Sequence, residues 1–177
     1  WGHKLDLSGK NLNLGAALKY ITSDLGDVSA SAVALDLGAI MPIGDPESIS
    51  GGSLQGSLAV LNIGGELKFT DEGDPLPLNI KPGVAWKGKV GERSLNAVLD
   101  ADLLVNDSLN LINLGVEYWM IEQLGLRVGF QSGRGKNAGS GIGAGLGFKH
   151  ASLGVDYAFV PFGDLGDAHR VSLSLRF

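Results

Sequence analysis

The chain finishes on His169-Arg170-Val171-Ser172-Leu173-Ser174-Leu175-Arg176-Phe177, a run in which apolar and polar residues alternate up to a terminal aromatic. A period of two is the side-chain period of a β-strand, so Val171, Leu173, Leu175 and Phe177 share one face. A strand with an apolar face and an unpaired edge invites aggregation, whereas a closed β-barrel pairs its last strand and leaves no edge. The expectation is a barrel-closing strand, with Val171, Leu173, Leu175 and Phe177 as its closure signal.

The same period recurs upstream in segments of about nine to eleven residues, the length a tilted strand needs to cross a bilayer. Ten are expected: 12–22, 28–41, 54–63, 78–86, 95–105, 110–120, 124–131, 141–148, 151–160 and 169–177. Pro82 removes a ladder donor from the fourth. His3 to Leu7 reads as the tail of a further strand, and an upstream part of the polypeptide is expected to precede it. Turn residues punctuate the series at Ser8-Gly9-Lys10-Asn11, Ser23 to Asp27, Gly44-Asp45-Pro46-Glu47, Asn106-Asp107-Ser108 and Gly163 to Gly166. Toward the C-terminus a long loop at 131–140, a two-residue turn at Lys149-His150 and a long loop at 161–168 alternate, as outer loops and periplasmic turns do.

Alternation alone leaves open which face is outside. A soluble barrel would turn the aliphatic face inward. Two features favour the opposite. The second face is built of small residues, with Gly141, Gly143, Gly145 and Gly147 at consecutive positions, and its charges carry both signs and lie within strands. Charges at bilayer depth must face a lumen or one another. The expected lumen cluster is Lys19, Asp36, Asp100, Asp102, Glu117, Arg127, Asp156, Arg170 and Arg176. Tyr20, Trp86, Tyr118, Tyr157, Phe159 and Phe177 lie near strand ends, where interfacial girdles sit. The fold class is therefore all-β: one antiparallel transmembrane β-barrel domain over 1–177, with about ten strands in this chain.

Hairpin arithmetic tests the assignment, because a one-residue slip would exchange the faces. A turn on Lys149-His150 sets Leu146 against Leu153, Ala144 against Val155 and Gly143 against Asp156. A turn on Glu122 sets Leu126 against Tyr118 and Arg127 against Glu117. A turn across 106–109 sets Asp102 against Asn113 and Val98 against Glu117. Arg127 and Glu117, with Asp100 and Asp102 nearby, form the sharpest candidate site, either as lumen packing or as a solute-selecting group.

Composition narrows the rest. Of 177 residues 28 are Gly, more than twice the share expected from the roughly 7% average usage, which argues against a helical protein. Cysteine is absent, so no disulfide or thiolate metal site is expected. A net charge of -5 with scattered Lys and Arg gives no basic stripe for nucleic acid. No apolar tract is long enough for a transmembrane helix. Gly139-Ser140-Gly141-Ile142-Gly143-Ala144 loosely fits a dinucleotide fingerprint but runs into a strand, and Gly135-Lys136 lacks the rest of a phosphate loop. His3, His150 and His169 have no ligand-spaced neighbour, which leaves girdle or turn roles. His150-Ala151-Ser152 resembles an outer-membrane phospholipase motif, but Leu153 stands where Asn would follow. No cofactor, metal or catalytic residue is expected.

The run Leu153 to Gly166 with His169 to Leu173 resembles the ending of PorV/PorQ-type outer-membrane proteins, a branch of the FadL-like barrels. Leu18-Lys19-Tyr20, Ala34 to Gly38, Leu76-Pro77-Leu78, Gly115 to Trp119 and Leu126 to Phe130 are similar to the same family, so the likeness covers most of residues 12–177. It implies a barrel of about fourteen strands. Either the front strands are absent from this chain or this is a shorter barrel that closes on itself. It also implies residence in the bacterial outer membrane, in contact with the lipid bilayer. Three roles follow from it: a scaffold or anchor for protein partners, as in type IX secretion, a conduit for a hydrophobic ligand, or a structural envelope protein in a larger assembly.

Overall fold

A computed structural model describes residues 1–7, 10–44, 51–69, 73–133 and 139–176 of the chain. The predicted turn residues Ser8, Gly9 and Asp45 to Glu47, the Gly135-Lys136 pair and Phe177 lie outside these. The strands are β1 (Gly2–Leu7), β2 (Lys10–Leu25), β3 (Val28–Pro42), β4 (Ser53–Gly64), β5 (Glu66–Lys68), β6 (Gly73–Pro75), β7 (Asn79–Val90), β8 (Arg93–Leu104), β9 (Leu109–Trp119), β10 (Leu124–Gln131), β11 (Ile142–His150), β12 (Leu153–Pro161) and β13 (Asp167–Leu175). One short 3-10 turn, Gly163–Leu165, precedes β13.

The protein is all-β and antiparallel. Eleven strands form one sheet in the order β1-β2-β3-β4-β7-β8-β9-β10-β11-β12-β13, and β5 pairs with β6. All ten expected strands are present, β1 extends the expected tail at His3, and the β5–β6 hairpin was not foreseen. No pairing closes the sheet into a barrel among the described residues. β7 runs through Pro82 and on to Val90, longer than expected. It turns at Gly91-Glu92, where Gly91 takes a φ of 63° that a side-chain-bearing residue resists.

The chain divides into two compact units. The first comprises Trp1–Ile43, Gln55–Gly83 and Ala101–Asn110, and the second Gly44–Leu54, Val84–Asp100 and Leu111–Phe177. In the first, β2 and β3 pair Leu18 with Leu35, Tyr20 with Val33 and Ala16 with Leu37, so apolar meets apolar on one face. In the second, β9 and β10 pair Leu126 with Tyr118 and Arg127 with Glu117, as expected.

One register differs from the expectation. β11 faces β12 with Leu146 against Tyr157, Ala144 against Phe159 and Gly147, not Gly143, against Asp156. The strand continues through Lys149 and His150 because the Lys149 N–H bonds to the Gln123 carbonyl at 2.8 Å. The turn is Ala151-Ser152, with Ala151 at a φ of 50°. At the next hairpin the side-chain amide of Asn113 bonds to Asp100 rather than Asp102, and Asn96 rather than Val98 bonds to Glu117. The β11–β12 displacement is by four residues, an even number, so the side chains of that hairpin keep their expected faces.

Exposure is inverted relative to a water-soluble sheet. Leu18 is 77% exposed, Val33 53%, Val128 58% and Leu173 68%, while the buried apolar side chains among the described residues are Ala30, Ala32, Ala34, Leu76 and Trp119.

Paired cysteines report register directly in this cysteine-free chain. Leu146→Cys with Tyr157→Cys should oxidise to a disulfide, and Leu146→Cys with Leu153→Cys should not. Four residues along a strand span roughly 13 Å, beyond the about 7 Å limit between bridged Cα atoms. Non-reducing gel mobility is the readout.

Candidate functional site

The polar face carries the candidate site. In the second unit, β10 sets Arg127 opposite Glu117 on β9 and opposite Gly145 on β11. Its Nε donates to Glu117 Oε2 at 2.7 Å, and its Nη1 donates to Asp156 Oδ1 on β12. The guanidinium therefore reaches across β11, which is possible because β11 offers Gly145 and Gly147 there. A Cβ on Gly147 would lie 2.9 Å from Asp156 Oδ1 and 3.0 Å from Arg127 Nη2. The second Glu117 oxygen accepts from Asn96 Nδ2 and from Trp119 Nε1, each at 2.8 Å. Trp119 is buried, with the Lys149 ammonium 3.6 Å above its ring and Gly125 beneath its edge.

A second chain of bonds in the same unit runs from Gln131 Nε2 to Asn113 Oδ1 at 2.9 Å and from Asn113 Nδ2 to Asp100 at 2.8 Å. Arg170 stands opposite Ala158 and Val171 opposite Tyr157. Leu173 and Leu175 likewise face Val155 and Leu153, so the described closure-signal residues form an apolar ladder on β12. Arg176 follows β13, exposed, with its backbone N–H bonded to Ser152. Arg127, Glu117, Arg170 and Ser172 share the wall of a trough of about 740 Å³ with Val98, Gly129 and Val160.

In the first unit Lys19 meets Asp36 at 2.7 Å. Between Leu35 and Leu37 the β3–β4 register shifts. Asn62 adopts a φ of 61° there, donates its N–H to Asp36 Oδ1 at 2.8 Å and accepts from Lys19. Asp102 is 9% exposed and holds Lys81 at 2.9 Å and Asn79 Nδ2 at 2.8 Å.

Seven of the nine expected charges fall into local ties, while Arg170 and Arg176 stand exposed. Lys19 joins Asp36, Arg127 joins Glu117 and Asp156, Asp100 joins Asn113, and Asp102 joins Lys81. Asn62, Asn96 and Trp119 were not foreseen, nor was the space that Gly147, expected on this face, leaves for Arg127. Asn is read from sequence as a turn residue, and a glycine's value here is the space it leaves. Chemically the arrangement neutralises charge and links neighbouring strands: each of these carboxylates is matched by a cation or an amide donor. Tyr157 and His169 hydrogen-bond at 2.8 Å and Phe159 packs against the same imidazole. No group of three His, Asp or Glu suited to a metal occurs among the described residues.

Arg127→Ala leaves Glu117 and Asp156 without their shared cation. It should cost about 2 kcal/mol, less than a fully buried pair loses because all three groups are partly solvated. Gly147→Leu should disrupt the same triad by steric entry alone. Denaturant unfolding measures both, and a loss below about 0.5 kcal/mol for Arg127→Ala would remove its tying role.

In comparisons with known proteins, no family model and no curated protein matches this sequence.

Proposed function

We propose that this chain belongs to a non-enzymatic β-barrel of the bacterial outer membrane, and that it serves as a scaffold or anchor for protein partners there, in the manner of the PorV-type proteins it resembles. The inverted exposure carries the reading. Aliphatic side chains that line one face of successive strands and stand open are costly in water but matched to acyl chains, and the opposite face pairs Lys19 with Asp36, Lys81 with Asp102 and Arg127 with Glu117 and Asp156. Strands of the main sheet run from 6 residues in β1 to 16 in β2, bracketing the roughly 9–11 that cross a bilayer when tilted.

No helix among the described residues is long and apolar enough to cross a membrane. That leaves strands as the spanning elements in this proposal. Closure of the sheet is part of it, because a bilayer tolerates no unpaired edge. The trough walled by Val98, Gly129, Val160 and Arg170 favours a second reading, a conduit for hydrophobic compounds. Co-purification separates the two: protein partners retained in mild detergent support the scaffold, and a bound acyl compound supports the conduit.

A charge placed on the aliphatic face separates membrane from water. Val128→Arg should impair insertion into liposomes, costing about 2–4 kcal/mol near the bilayer midplane, and should abolish the faster migration of the unheated barrel on gels. In a water-soluble sheet the same change would be neutral or would improve solubility. A Val128→Arg protein that remains folded, unbound to liposomes and no less stable defeats the membrane proposal.

A further inference from the structure

The dry cluster of the first unit lies on the polar face. Ala32 and Ala34 on β3 alternate onto the side that carries Asp36, and Ile21 on β2 lies on the side that carries Lys19. On this face, the cluster is completed by Leu76 and Leu67, which come from the segment between β4 and β7. Ala34 is 1% exposed and Leu76 4%, the deepest apolar burial among the described residues.

That segment is latched on several sides. The Gly65 N–H bonds to the Val33 carbonyl and the Leu76 N–H to the Gly65 carbonyl, each at 3.4 Å. Asn106 Nδ2 donates to the Leu76 carbonyl at 2.6 Å, and the Val105 N–H donates to the Leu78 carbonyl at 2.9 Å. Asn62, which already holds Lys19 and Asp36, donates its Nδ2 to the Pro77 carbonyl at 2.8 Å. The β5–β6 ladder pairs Leu67 with Asp74 and so fixes the hairpin that carries Leu67. A connection that merely spanned two strands at the rim would need none of these bonds.

We propose that residues 65–69 and 73–78 form a fixed plug, folded onto the polar face of β2 and β3 and held by Leu67, Leu76, Asn62 and Asn106, which blocks passage of small polar solutes along that face. The inference rests on the membrane-barrel reading, in which this face lines the lumen. The alanine stripe is what admits the plug. Larger side chains at Ala32 and Ala34 would occupy the space that Leu76 fills. A plugged lumen also suits a scaffold better than an open channel.

The experiment uses the full chain in liposomes, with two readouts. Alkylation of Ala34→Cys by a soluble maleimide should be at least about tenfold slower than that of Glu92→Cys in the exposed turn, as expected for a site that reacts only on local opening. Arabinose influx by liposome swelling should be low for the parent and rise several-fold in Leu67→Ser/Leu76→Ser, with Asn106→Ala as a milder variant that keeps the apolar contacts and should give a smaller rise. Free reaction of Ala34→Cys overturns the plug. So does flux that stays low in both variants while the protein remains inserted, and that outcome leaves the membrane reading intact. Failure of the parent chain to insert removes the membrane reading and the plug together.

Discussion

A guanidinium fixed within a strand whose other face is aliphatic must be answered on its own side of the sheet. Arg127 meets this constraint by bonding carboxylates on both sides, Glu117 on the adjacent strand and Asp156 across the glycines of β11. A charge left unpaired in a confined site pays a desolvation cost that nothing repays. The first unit solves the same problem with Lys19, Asp36 and the left-handed Asn62 at a register shift. With these charges answered on their own side of the sheet, the aliphatic face can remain open.

This division of labour underlies the proposed envelope role. An antiparallel sheet can bury one face and solvate the other. Here the face that packs is made of small and ionic residues, and the large aliphatic side chains stand exposed. The segment carrying Leu67 and Leu76 adds an apolar layer on the polar side, where it packs against alanines rather than charges. The scaffold reading draws on both features, since it asks for an apolar belt and does not require an open passage.

Much of the fold could be read from the chain because period-two alternation is a local property of each strand. It placed ten strands, assigned side chains to faces and set Arg127 opposite Glu117 across a short hairpin. Register is a different matter. Alternation specifies it only modulo two, so the β11–β12 hairpin could shift by four residues without any apolar residue changing face. Asp156 escaped pairing with Arg127 for that reason, and because the bond passes over an intervening strand. β5 and β6, at three residues each, are too short to display a period. Ala30, Ala32 and Ala34 were a usable signal, since three alanines at alternate positions of one strand leave room for something to pack there.

The amino-acid order alone determined the all-β class, the two chemically distinct faces and the absence of cysteine chemistry, because each depends on residue type and spacing along a single strand. Only the tertiary structure decided which carboxylate answers which cation, where Asn62 bends the ladder, and that Leu76 turns back onto β3. Those outcomes depend on pairing between segments distant in sequence. Competing registers there preserve the same alternation and are separated only by side-chain contacts such as Lys149 on Trp119 and the space above Gly147.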